Sequence, residues 1–214
     1  MVQKSQKRGR GRPRAYDPAQ ALAQVMSAFW RAGYSGTSLD DLSAATGMNR
    51  PSLYGAFGDK RALYLKTLEQ YVAAGCGGLA MALAGDEPLE RALRSVYERA
   101  LDLYMPEDAP QRGCFLISTA ATVAMEDPEV RALLGGALRT FDRVFEDRLR
   151  RAQQRGELDP AADPAALAKI ASALLHTLAI RSRAGDTRAT LTATADAGVR
   201  LICGEAPKKS KPKR

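Results

Sequence analysis

No apolar run in these 214 residues approaches the eighteen or more that a membrane-spanning helix needs, so no membrane partner is expected. The basic amino-terminal stretch has no apolar segment behind it, so no signal peptide is expected either, and the cytoplasm is the expected place. Cysteine is sparse. Cys76, Cys114 and Cys203 lie far apart with no C-x-x-C, which suggests neither a disulfide framework nor a zinc site. Histidine occurs once, at His176, and no glycine-rich phosphate loop, metal-ligand cluster or paired-carboxylate motif is evident, so no cofactor and no metal are expected. Period-two alternation is missing as well, which argues against a sheet.

What the chain does have is charge at its ends. Residues 1–14 carry six bases (Lys4, Lys7, Arg8, Arg10, Arg12, Arg14) and no acid, and residues 205–214 carry five (Lys208, Lys209, Lys211, Lys213, Arg214) against Glu205. The stretch between them holds 21 bases and 23 acids. A nearly neutral body between basic tails suits a chain drawn to polyanions, with an affinity that falls steeply in salt. The 45% hydrophobic content suffices for a core in one medium domain or two small ones.

That body reads as helix after helix. Ala21, Leu22, Val25, Met26, Phe29 and Trp30 recur at steps of three and four after Asp17-Pro18, a cap followed by proline at the first helical position. Phe29 and Trp30 are read as core of this helix, and Gly33 ends it. A second short helix begins at Thr37 or Ser38, turns Leu39 and Leu42 inward and stops before Gly47; a third has Asn49 as its cap. Asp59 caps a longer fourth helix through Leu63, Leu65, Leu68, Tyr71 and Val72, and from 75 to 88 the chain turns glycine-rich, as at a helix end and domain junction. Further helices are expected at roughly 88–104, 113–125, 127–154, 163–183 and 187–203. The last two are rich in alanine and glycine, which suits either a packed interior or a helical interface.

Residues 38–46 and 49–57, two short helices about a tight glycine turn, have the plan of a helix-turn-helix. Leu42, Met48, Leu53 and Phe57 point inward, which leaves Asn49, Arg50, Ser52, Tyr54 and Gly55 on or near the outer face, where a recognition helix meets base edges in the major groove. Pro51 is tolerated because it sits in the first turn, where its missing N–H has no intrahelical partner. Thr37, Ser38, Tyr54 and Lys60 offer hydroxyls, an ammonium and helix amino termini to flanking phosphates.

With these residues in view, TSLDDLSAATGMNRPSLYGAFGDKRALY (37–64) resembles the DNA-binding signature of the TetR/AcrR family of bacterial transcription regulators. The likeness spans residues 15–66 and departs at Gly55 and Ala56, where many members carry bulky or aromatic side chains. It implies an all-α fold of about nine helices: a basic arm (1–14), a three-helix DNA-binding domain (15–63), a larger ligand-binding and dimerisation domain (64–204) and a basic tail (205–214). It also implies a homodimeric repressor on a pseudo-palindromic DNA operator, released when a small-molecule or thiol-reactive effector shifts the fourth helix. In that setting Leu174, Leu178, Leu191, Ala195, Gly198, Val199 and Ile202 become candidates for the dimer interface. RGRP (10–13) resembles an AT-hook, with Arg12 and Arg14 entering a minor groove; the alternative is a solubilising basic tail.

Candidates for the effector site are Tyr97, Tyr104, Cys114, Phe115, Phe141, Phe145 and His176, since ligand pockets are mostly apolar with a few polar groups. Cys114 opens a helix behind Arg112, and both the helix amino terminus and the guanidinium would lower its thiol pKa; the alternative is a buried, inert cysteine. His176 is either a ligand contact or a satisfied core residue. An enzyme pairing Cys114 with His176 lacks an orienting third group. An architectural protein dominated by its tails is a second rival, and it would lack sequence preference.

Overall fold

The computed structural model describes residues 17–108 and 110–204, so the expectations for Arg12, Arg14, the arm and the carboxyl tail lie outside the described residues. Among the described residues the secondary structure is helical, as the periodicity predicts. Helix α1 (Pro18–Ala32) is capped by Asp17, which accepts from the Ala19 N–H at 2.9 Å. Helix α2 (Leu39–Thr46) opens on a capping box in which Ser38 and Asp41 satisfy each other's backbone amides. Helix α3 (Arg50–Phe57) is capped by Asn49, which accepts from Ser52 at 2.9 Å. These three form a small head, whose core includes Val25, Phe29, Leu42 and Leu53, all almost fully buried.

Helix α4 (Lys60–Ala84) corrects the expected break in the glycine-rich stretch: it runs unbroken through Gly75, Gly77 and Gly78. Glycine weakens a helix interior by about 1 kcal/mol each relative to alanine. Packing offsets this, since Leu79 and Leu83 on the same helix are buried in the core. In the body, α5 (Leu89–Tyr104) and α7 (Pro128–Gln154) pack against α4, α8 (Pro164–Arg183) packs on α7 and α5, and α9 (Arg188–Cys203) packs on α5 and α8. The expected helix at 113–125 is instead a π-helical stretch, Leu116–Ala120, that runs into the short Ala121–Val123; together these are α6.

Two corrections follow from how α8 and α9 pack. Leu178, Leu191, Val199 and Ile202 are almost completely buried within their own chain, as is Ala195, so they are core and not an open interface. Gly198 is small because α8 lies against it: a methyl there would run into the Leu174 side chain. The apolar side chains that these helices leave exposed are others, among them Ile170, Ala173 and Ile180 on α8 and Ala193 and Leu201 on α9. Trp30 differs too, since it belongs to the seam between head and body. Its ring lies edge-on to Tyr71 (5.2 Å between centroids), and its indole N–H donates to the Arg112 carbonyl at 3.0 Å.

Candidate nucleic-acid interface and effector cavity

The outer face of α3 is built by its inner one. Leu53 and Phe57 are buried beside Leu42 and Met48, which fixes the helix and leaves Asn49, Arg50, Pro51, Ser52, Tyr54 and Gly55 exposed together. A Cβ at Gly55 would meet nothing within 4 Å, so the face is open there. Arg50 is not free: Nε and Nη2 donate to the two carboxylate oxygens of Asp40 on α2, at 2.9 and 2.6 Å. Sequence spacing gives no sign of this pair.

The expected phosphate contacts divide. Thr37 is 1% exposed and its hydroxyl donates to the Gly33 carbonyl at 2.7 Å, so its side chain closes the end of α1 and is not presented outward. Ser38 is exposed but donates to Asp41 at 2.7 Å. Lys60 sits in the first turn of α4 with Nζ 4.5 Å from the Tyr34 ring centre, a cation–π contact that steadies it beside α3.

One side chain ties the start of α4 to the body. Arg61 donates to Asp127, the cap of α7, at 2.6 and 2.9 Å, and to Glu129 at 2.8 Å. The guanidinium holds the Asp127 carboxyl down, from the ordinary 3.8 to about 2.

Further along α4 a cavity of about 330 Å³ opens between α4, α5, α7 and α8. Ala74, Gly75, Gly78 and Ala82 make one wall with Tyr71 at its near end on the same helix, and larger residues of other helices face them: Leu103, Tyr104, Phe141 and Leu175. The glycines that read locally as a helix end are what leave this space. They and Tyr71 were missed as site residues, although small residues at 74, 75, 78 and 82 share one helical face, and that spacing is the signal. Of the expected pocket residues, Tyr104, Cys114, Phe141 and His176 line the cavity. Tyr97, Phe115 and Phe145 do not line it. The Tyr97 hydroxyl donates to the Ala171 carbonyl at 3.1 Å and its ring stacks on Phe145, while Phe115 is buried between Trp30, Tyr64 and Tyr71.

Cys114 overturns the expected activation. Burial pushes its thiol pKa up, against the smaller opposing effects of the Tyr71 hydroxyl, which donates to Sγ at 3.3 Å, and of the helix amides. Arg112 turns away, with its guanidinium 4.1 Å from the centre of the Trp30 ring and Nε on the Leu103 carbonyl. Gly113 permits the turn between them: its φ is +63°, and a Cβ there would lie 2.5 Å from the Ala179 carbonyl oxygen. Burial also pushes the His176 pKa down, so the ring is neutral at pH 7; Nε2 lies 3.3 Å from the Ser172 hydroxyl. Neither group is set up as a nucleophile or as its base. Among the described residues no cluster of three His, Cys, Asp or Glu side chains is placed to hold a metal, and no helix is long and apolar enough to cross a membrane.

Residues 22–67 match the family model described as bacterial regulatory proteins, tetR family, and residues 88–197 match that described as tetracyclin repressor-like, C-terminal domain. The HTH-type transcriptional repressor ComR of Escherichia coli (strain K12) is 30% identical over 91% of this chain and 93% of its own length. The HTH-type transcriptional repressor BdcR of the same organism is 29% identical over 97% of this chain and 98% of its own. Among solved structures, a cysteine mutant of the TetR family transcriptional regulator CifR, complexed with 26-base-pair double-strand operator DNA, is 30% identical with a TM-score of 0.80. That alignment covers 88% of this chain and 98% of the other.

Proposed function

The chain belongs to the TetR family of bacterial regulatory proteins, and from that premise we propose that it is a transcriptional repressor of the cytoplasm, released from DNA by a small effector. The observation that carries this reading is one continuous helix. α4 begins beside the exposed face of α3 at Lys60 and forms the glycine wall of the cavity from Ala74 onward. A ligand that prefers one position of that wall shifts the population of head positions, and so the spacing of two recognition helices on a pseudo-palindromic operator. Head (15–63) and body (64–204) are then the DNA-binding and the effector domain. Two copies would meet through the exposed apolar residues of α8 and α9, Ile170, Ala173, Ile180, Ala193 and Leu201. The basic arm with Arg12 and Arg14 would follow the minor groove.

The cavity suits a small, mostly apolar molecule held by noncovalent contacts, because its few polar groups include a thiol that burial keeps protonated at neutral pH. The test is a gel-shift series on DNA upstream of the chain's own and adjacent genes, run with and without hits from a thermal-shift ligand screen. Sequence-selective binding that a hit releases is expected; binding without sequence preference would overturn the proposal.

A further inference from the structure

An acid is electrostatically out of place on a face that meets a polyanion, yet Asp40 is exposed on α2 directly beside α3. It is not spent on its own helix: Asp41, and not Asp40, completes the capping box. Instead Asp40 takes the Nε/Nη2 edge of Arg50 with both carboxylate oxygens, while the two side chains keep 74% and 54% of their exposure. An exposed ion pair contributes little to stability, so its consequence lies in geometry. A guanidinium held along one edge keeps its Nη1/Nη2 end free, and that end is a fork of parallel N–H donors.

Resting on the DNA-binding reading above, we propose that Asp40 and Arg50 act as one unit that reads a guanine. Asp40 orients the guanidinium, and the free fork donates to O6 and N7, the acceptor pair that guanine alone presents in the major groove. Holding Arg50 in advance removes the cost of ordering a long side chain at the interface. Pairing it with an acid also cancels its charge, so that Arg50 adds base preference without adding general attraction to phosphate. Asp40 is thus a positioning residue for specificity.

The test is selection from a random double-stranded DNA library with the full chain and with Asp40→Asn, Arg50→Lys and Arg50→Ala, followed by competition binding with each base at the enriched position. The parent is expected to enrich half-sites holding a guanine preferred by roughly 10- to 100-fold, the range of a bidentate contact. Both Arg50 variants should flatten that one position. Asp40→Asn should lower the guanine preference about 3- to 10-fold, leave other positions unchanged and raise affinity for random DNA about 2-fold. If Asp40→Asn tightened binding to all sequences alike with the preference intact, the pair would be a brake on Arg50 and the proposal would be overturned. Enriched sites without an Arg50-dependent guanine would overturn it while leaving the regulator reading standing. No enrichment by the parent would overturn both. Matching circular dichroism and unfolding temperatures would establish that the variants are folded.

Discussion

The head and the body are built from the same kind of helix, yet they turn their candidate functional side chains in opposite directions. In α2, α3 and the turn between them the apolar anchors Leu42, Met48, Leu53 and Phe57 face in, and the polar residues between them are left outside. Around the cavity it is small residues of α4 that open a space, and Tyr71, Tyr104, Cys114 and Phe141 turn into it. An outward site is set by one local stretch of chain. An inward site exists only where stretches far apart in sequence fail to fill a volume together.

Trp30 is where this division is most exposed to attack, because it starts in the head and ends in the body. It is 6% exposed, packs on Tyr71 and Phe115, and lies under the Arg112 guanidinium. Trp30→Ala should cost about 3–5 kcal/mol. It should also separate the unfolding of head from body, seen as two calorimetric transitions in place of one. A variant with a single transition at the parent's temperature would mean that the seam transmits nothing.

The next effect should fall on the body alone. Gly78 lines the cavity, and a Cβ there would meet nothing within 4 Å, so the fold admits a larger residue. In Gly78→Leu the added side chain occupies the space a ligand would take. Hits from a thermal-shift screen should then bind about 5- to 150-fold more weakly, the equivalent of about 1–3 kcal/mol of overpacking. DNA binding should persist. Loss of DNA binding with ligand response intact would reverse the assignment of the two regions.

The legibility of the two regions follows the same division. Caps at Asp17, Ser38, Asn49 and Asp59 and the three- and four-residue steps of Leu22, Val25 and Phe29 are local, so the head and most helix ends can be read directly. Tertiary packing decides the rest. Gly75 reads locally as a helix stop, but in the fold it lies against Phe141, on another helix. Cys114 reads as activated because Arg112 is two residues away, whereas Tyr71 and burial, both set by distant parts of the chain, determine its chemistry. The small residues of α8 and α9 announce a close approach without saying whether the neighbour is α8's own partner α9 or a second copy. For the same reason the Arg50–Asp40 pair, ten residues apart on two helices, was invisible.

Acid should test the link between the regions. Because Arg61 depresses the Asp127 pKa from 3.8 to about 2, the ionised form is favoured in the fold, and the pair stabilises it fully only above the ordinary carboxylate value. That contribution is lost as pH falls from about 4 towards 2. Asp127→Asn keeps a residue able to cap α7 but removes the charge. Its unfolding temperature should lie below the parent's at pH 6, fall less steeply under acid, and meet the parent's near pH 2. Parallel curves at every pH would remove Arg61 as the tie between α4 and α7.

The smallest expected effect concerns Gly55, which lies on the exposed face of α3. Glycine inside α3 costs about 0.5–1 kcal/mol relative to alanine. Nothing in the fold requires it, since its Cβ position is open. Gly55→Ala should therefore raise stability by about that amount in chemical denaturation. A close approach of the DNA backbone would be a use for the missing Cβ, because it would let α3 come nearer. Operator affinity should then fall by roughly 3-fold or more while base preference at Arg50 stays unchanged. An alanine variant that is more stable and binds as tightly would mean that Gly55 only omits a contact, and that the head, unlike the body, makes no use of its glycine's emptiness.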